Sequence, residues 1–290
     1  MNRDCAFLLL PLLLAGCLQK PPHPALHYTV GSPYEADGTW QYPEADFSYD
    51  ETGIATVYGA RTPRRTADGE PFSPTAFAAA HPTLQLPAIA RVTNLENGRQ
   101  IVVRVNDRGP ANPARILAVT PHVAALLGFP PGGAARVRVQ VLPAASEALA
   151  LSLPGGPALA VASAPVGHVS VAALPALPGA NTASAAAAPP KTAPLPPPTV
   201  PPDEQPGYLS TVAPAPGALF VRTGIFTNQS SAELQVAALA RFGATAIPRY
   251  GSGSLKIEVR IGPFASIPEA DAVLKEVLAA GVSGARLVVE

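Results

Sequence analysis

The sequence predicts a mainly β domain followed by an α+β domain, joined by a long segment that cannot fold by itself. Three observations carry this. Residues 50–142 hold short apolar runs separated by turn signals, residues 143–216 are rich in alanine and proline, and residues 217–290 switch between period-two and period-3.6 apolar patterns. A chain of 290 residues is long enough to bury two such cores. Lysine plus arginine and aspartate plus glutamate both total 20, so no net charge draws the protein to nucleic acid or another polyanion.

The first residues have the layout of an export signal. Arg3 follows the start, residues 6–14 are apolar apart from one proline, and Ala15 and Gly16 precede Cys17. The apolar run is too short to stay in a bilayer as a spanning helix. The ending Leu14-Ala15-Gly16-Cys17 resembles a bacterial lipobox, which implies removal of residues 1–16 and lipidation of Cys17. The plainer reading is an ordinary cleaved signal that happens to contain a cysteine. Cys5 would leave with the leader, so the mature chain would keep one cysteine and no disulfide. Each buried methylene of an acyl chain contributes roughly 0.8 kcal/mol, so several chains make a permanent anchor. Leu18 stands where an aspartate often marks retention at the inner membrane, and by that resemblance the address is the periplasmic face of the outer membrane. Residues 17–49 read as a lipidated N-terminus and tether, with Tyr34, Trp40 and Tyr42 available to pack on the edge of the next domain.

Within residues 50–142 strands are expected at 54–58, 88–94, 101–106 and 136–142. Asn97-Gly98 marks a hairpin between the second and third of these. A short helix at 121–127 ends at Gly128. A closed barrel lets so many short strands avoid exposed edges. The segment 143–216 contains an alanine run at 185–188 and proline clusters at 196–198 and 201–202. It is expected to be a disordered linker, because it buries too little surface to offset its chain entropy. As a flexible coil it would span on the order of 50 Å, leaving the flanking domains nearly independent.

The last segment has the order β-α-β-β-α-β, with strands at 219–225, 245–250, 255–261 and 286–289. Leu255, Ile257, Val259 and Ile261 alternate with Lys256, Glu258 and Arg260, as in a strand with one buried face. A helix at 231–242 stops at Gly243. A second, with its stripe Ala270, Val273, Leu274, Val277 and Leu278, opens near Ser266 and stops at Gly281. This is the ferredoxin-like split arrangement.

Candidate chemical groups are few. Glu70 follows the turn Ala67-Asp68-Gly69, His81 ends the run Ala78-Ala79-Ala80, and Asp107 closes an apolar strand before Arg108-Gly109-Pro110. Polar groups at strand ends on a barrel rim can reach a ligand. Each also has a structural reading: Glu70 a solvated turn residue, His81 a helix C-terminal cap, Asp107 a partner of Arg108 or of turn amides. The residues by themselves do not specify a reaction.

Four motifs follow in order a known family. They are Thr66-Ala67-Asp68-Gly69-Glu70-Pro71-Phe72, Ala79-Ala80-His81-Pro82-Thr83-Leu84, Val92-Thr93-Asn94-Leu95 with Asn97-Gly98, and Val103-Arg104-Val105-Asn106-Asp107-Arg108-Gly109-Pro110. Together they resemble the rare lipoprotein A family, which implies a six-stranded double-psi β-barrel related to expansins and lytic transglycosylase activity on peptidoglycan. Residues 217–290 resemble a SPOR domain through Val221-Arg222-Thr223-Gly224-Ile225-Phe226 and Val259-Arg260-Ile261-Gly262-Pro263-Phe264. That resemblance implies binding to glycan strands without stem peptides and recruitment to the division septum. Carried over, it makes Glu70 the acid, His81 and Asp107 its companions, and Tyr58, Thr66, Asn106, Arg108, Phe226 and Arg260 substrate-binding groups. Such an acid has to be protonated at rest, which burial beside His81 or Asp107 would favour.

The sequence also departs from the family. Ala118 follows Arg115-Ile116-Leu117 where an aspartate is common, Val57 replaces a usual tryptophan, and Thr62-Pro63 a usual histidine-glycine pair. In the last domain Arg222 replaces a frequent glutamine and Glu258 a frequent arginine. Loss of a carboxylate at Ala118 suits the competing reading, a binding protein that loosens the wall as expansins do without breaking bonds. No clustered His and Cys spacing marks a metal site, and nothing marks a cofactor.

Overall fold

The computed structural model describes residues 25–59, 64–131, 133–157, 200–251 and 254–290. The leader 1–16, Cys17, the Thr62-Pro63 pair and the middle of the expected linker lie outside the described residues.

Residues 25–49 are structured where a tether is expected. β1 (Tyr34–Ala36) and β2 (Thr39–Gln41) form a hairpin, turned through Asp37 and Gly38 at positive φ. Backbone bonds tie this segment to the following domain, Thr29 pairing with Leu86 and Glu44 N–H donating to Thr83 O. Tyr34 donates its hydroxyl to Pro82 O at 2.9 Å, whereas Trp40 and Tyr42 stay 56% and 65% exposed.

The first domain is built from β3 (Asp50–Val57), β4 (Ala78–Ala80), β5 (Ala88–Asn94), β6 (Arg99–Asp107), β7 (Leu117–Val119), α1 (Pro121–Leu127) and β8 (Ala134–Val141). The strands run β4-β7-β3-β8-β5-β6, and β4 pairs again with β6 to close a six-stranded double-psi-like barrel. Its core is filled by small and β-branched side chains such as Ala55, Ala90, Val92, Val103, Val105, Val119 and Val139, as a narrow barrel requires. The expected hairpin joins β5 to β6, with Gly98 at φ 74 and Asn94 and Asn97 side chains accepting the turn amides of Glu96 and Arg99. α1 has the expected bounds: Thr120 caps Val123 N–H, and Gly128 stops it in the left-handed region at φ 71.

β4 and β7 complete the barrel and were absent from the expected strands. Each has three residues, too few to show a period. His81 therefore follows a strand, not a helix, and the helix-cap reading of that residue fails.

The linker expected over 143–216 is folded at both of its described ends. α2 (Pro143–Ser152) packs on β5 through Ala145 and through Ser146, whose Oγ accepts from Ile89 N–H and donates to Ile89 O. Beyond residue 200, β9 (Leu209–Thr211) pairs with Arg99, Gln100 and Ile101 of β6, and Gly207 N–H donates to Val102 O. Composition understates both. Alanine packs closely on a sheet of small residues, and strand pairing uses backbone groups whatever the side chains.

The second domain contains β10 (Leu219–Phe226), α3 (Gln229–Ala238), β11 (Thr245–Gly251), β12 (Ser254–Phe264), α4 (Ile267–Ala279) and β13 (Arg286–Val289). The antiparallel sheet has the order β11-β12-β10-β13, the split arrangement expected. Leu219, Val221, Val259, Ile261 and Leu287 from the sheet meet Ala232, Ala270, Leu274 and Val277 from the helices.

This domain is packed against the barrel, contrary to the expected independence. Ile54, Leu95 and Ala114 join the C-terminal core cluster. Thr52 Oγ donates to Val289 O at 2.6 Å and accepts from Val289 N–H at 3.2 Å. Arg115 grips Asp271 through two hydrogen bonds of 2.7 and 2.8 Å, a fork-on-carboxylate geometry. Glu51 lies between Arg222 and Arg286.

Candidate active site

The end of β6 sets the site. Residues of a strand alternate in direction, so Arg104 and Asn106 share one face while Val103 and Val105 point into the core. Against that face lies the turn 66–70, fixed by Thr66, whose buried hydroxyl donates to Asp68 Oδ1 at 2.7 Å.

Both oxygens of Glu70 are engaged. Asn106 Nδ2 donates to Oε2 at 2.5 Å, and Arg104 Nη2 lies 2.8 Å from Oε1. The carboxylate faces a cavity of about 350 Å3 lined by Thr66, Phe72, Phe77, Arg104, Asn106 and Pro206. Asp68 sits beneath, fully buried. Its Oδ1 accepts from Thr66 and from Glu70 N–H, while its Oδ2 accepts no hydrogen bond from the described residues and lies 3.8 Å from Arg104. Burial pushes the Asp68 carboxyl up, against the lowering effect of those two hydrogen bonds.

Asp107 is on the other side of the same turn. Its Oδ1 accepts from Ala67 N–H at 2.9 Å and Arg108 N–H at 2.8 Å, and Tyr58 approaches Oδ2 at 3.4 Å. Burial raises the Asp107 carboxyl, partly offset by these donors. Burial and the neighbouring carboxylate push the Tyr58 phenol upward as well, and its ring packs on Phe72 at 5.0 Å.

His81 is oriented away from this pair. It is 2% exposed, and Nδ1 accepts from Thr83 N–H and Leu84 N–H, both at 3.1 Å. Those two donors place the ring proton on Nε2, which is buried without a partner among the described residues. Burial first, then Arg108 and Arg286, bring its pKa down to about 3, so the ring is neutral at physiological pH. The ring meets Tyr49 edge to face at 4.8 Å and lines a different cavity, at the domain junction. The loop 66–70 thus brings Glu70 and Asp107 to one rim. His81 is joined to Asp107 through the main chain, its N–H donating to Asp107 O.

The other expected binding groups divide between site and scaffold. Tyr58, Thr66 and Asn106 are at the rim. Arg108 is a clamp, its guanidinium donating to the carbonyls of Val30, Leu84 and His81. In the second domain Arg260 lies over the Phe220 ring at 3.9 Å and pairs with Glu290. Phe226 packs partly buried against that domain's core. Arg104 and Asp68 went unnoticed as site residues, although the alternation along β6 puts Arg104 on the face of Asn106. Among the described residues no group of three or more His, Cys, Asp or Glu is placed to hold a metal ion.

A lytic transglycolase family model matches residues 50–139, and a SPOR domain model matches residues 215–287. The chain is 35% identical over 260 residues to the endolytic peptidoglycan transglycosylase RlpA of Pseudomonas aeruginosa, covering 86% of this chain and 73% of that protein. Proteins of the same name from Rickettsia bellii and Neisseria meningitidis serogroup A are 39% and 40% identical over 125 and 128 residues. These matches cover 42% and 43% of this chain, and the chain spans about half the length of those two relatives, 55% and 54%.

Proposed function

The chain belongs to the rare lipoprotein A (RlpA) family, and on that premise we propose that its barrel is an endolytic lytic transglycosylase of peptidoglycan, a carbon–oxygen lyase acting on glycan strands without stem peptides. The observation that carries the proposal is Glu70, a rim carboxylate gripped by Asn106 and Arg104 at the mouth of a cavity with aromatic walls.

Both oxygens of Glu70 are occupied in the free barrel, so an entering sugar takes the place of Arg104 or Asn106 at one of them. Glu70 in its acid form then protonates the oxygen between N-acetylmuramic acid and N-acetylglucosamine, and the bond from that oxygen to the muramic acid anomeric carbon breaks. The muramic acid C6 hydroxyl attacks the anomeric carbon and returns its proton to the same carboxylate, giving a 1,6-anhydro sugar without consuming water. The nucleophile comes from the substrate, which separates this reaction from the usual two-carboxylate hydrolysis. Asp107, held by three donors, fixes the turn that carries Glu70, and the neutral His81 supports the rim through its backbone bond to Asp107.

The remaining parts place this chemistry. Lipidation at Cys17 would hold the protein to the periplasmic face of the outer membrane, and the SPOR domain would bring it to glycan at the division septum. Purified protein incubated with peptide-free sacculi is expected to release anhydro-muropeptides detectable by mass spectrometry. Glu70→Gln is expected to lower that release by at least roughly 100-fold, the scale of general acid–base catalysis.

A second reading rests on Ala118. It lies buried on β7, opposite Ala80 and Thr56, and supplies no carboxylate there. Retention of glycan with no anhydro product from the wild type would favour this expansin-like role and overturn the enzyme.

A further inference from the structure

The cavity between the two domains has no part in the cleavage just described. It measures about 190 Å3 and is walled by the β1–β2 hairpin, the barrel rim and residues 283–286 of the second domain. Both domains are needed to form it.

Its charge is one-sided. Among the described residues, Arg115 and Arg286 are the charged residues in its lining and no carboxylate lines it. Arg115 is satisfied by its two bonds to Asp271. Arg286 shares its partner: it donates to Glu51 Oε1 at 3.2 Å, and Arg222 donates to Oε2 of the same carboxylate at 3.0 Å. One negative charge between two guanidiniums leaves a positive charge over at the edge of the cavity. The field of that charge already reaches His81, where Arg286 disfavours the protonated ring. The His81 Nε2–H is a buried donor with no acceptor among the described residues, a costly state that a ligand oxygen would relieve. Trp40 supplies a flat apolar face, 56% exposed, on the hairpin side. The volume is below the roughly 300–1,000 Å3 typical of drug-sized sites, so it suits one ring.

We infer that this cavity binds a single amino-sugar residue carrying a free carboxylate, its acid group paired with Arg286, its ring on Trp40 and a neutral oxygen accepting from His81. The inference rests on the glycan reading above and specifies the sugar: N-acetylmuramic acid with its lactyl carboxyl unsubstituted. A stem peptide turns that carboxylate into an amide, removing the charge Arg286 would pair and adding bulk the cavity does not hold. The junction would thereby select bare strands and seat them relative to Glu70.

Trp40 is the one tryptophan in the chain, so its fluorescence reports on this cavity directly. Titration of the full chain with N-acetylmuramic acid is expected to give a saturable change at least tenfold tighter than with its methyl ester or with N-acetylglucosamine. Arg286→Gln should bring the acid down to the level of the ester, and Arg286→Lys should restore part of the difference. Glu51→Gln, which frees Arg286 further, should tighten binding of the acid. Equal responses to acid and ester, or undiminished acid binding in Arg286→Gln, would overturn the site; so would unchanged or weaker acid binding in Glu51→Gln. Glu70→Gln should bind the acid as the wild type does. Intact cleavage with no selective binding therefore removes this inference alone, and selective binding without cleavage removes only the enzyme.

Discussion

His81 occupies a position that only a neutral imidazole tolerates, and its titration should be visible in the stability of the barrel. Its folded pKa, about 3, is below the ordinary value of 6.5. The stability it supports is complete above pH 6.5 and is lost as pH falls towards 3. Asp68 and Asp107 act in the opposite sense. Burial raises their folded values, so their contribution is full below the ordinary 3.8 and lost as pH rises through those raised values. His81→Gln keeps an acceptor for the amides of Thr83 and Leu84 but cannot protonate. Its melting temperature should fall less steeply than that of the wild type between pH 6.5 and pH 4, and parallel curves would mean that His81 does not titrate against folding. Sequence reading found this histidine through its motif but not its orientation. Which way a rim side chain points depends on the amides of Thr83 and Leu84 and on Tyr49, 32 residues earlier, and no local pattern records that.

Elements were legible in proportion to their length and period. β12, with four alternating apolar residues, and α1, with a capping threonine and a stopping glycine, are where the sequence places them. β4 and β7 have three residues each and take their strand character from pairing with β6 and β3. α2 was hidden for a different reason: the same alanine content that suggests a structureless segment also makes a helix thin enough to lie on β5. Ser146 is its attachment point, satisfying both backbone groups of Ile89. Ser146→Ala leaves the buried Ile89 N–H unpaired, while the Ile89 carbonyl keeps the bond from Leu142 N–H, and this should cost about 1–2 kcal/mol in urea unfolding. Faster hydrogen exchange at the Ile89 amide should accompany it. A change below 0.5 kcal/mol would show that α2 is not anchored through this residue.

At the scale of the whole molecule, the junction was invisible to the sequence because its groups look like ordinary surface residues. Arg115 and Asp271 stand 156 positions apart, and nothing near either one signals the other. Thr52 in turn takes the place of a further strand for the edge of β13, meeting both backbone groups of Val289. Because apolar residues of the barrel side also enter the second domain's core, the folded parts should unfold as one cooperative unit in calorimetry. Asp271→Ala tests this without touching either core. It leaves the Arg115 guanidinium, only 12% exposed in its side chain, without its carboxylate. Since Asp271 is partly solvated, the cost should be about 1–2 kcal/mol, short of a fully buried pair. That cost falls on the contact between domains, so the second domain should begin to melt separately. The Val289 amide should exchange faster while Val103, in the barrel core, keeps its protection. An unchanged single transition with Val289 still protected would mean that the apolar contacts alone hold the domains together. The Arg115–Asp271 pair would then set their angle without adding to their cohesion.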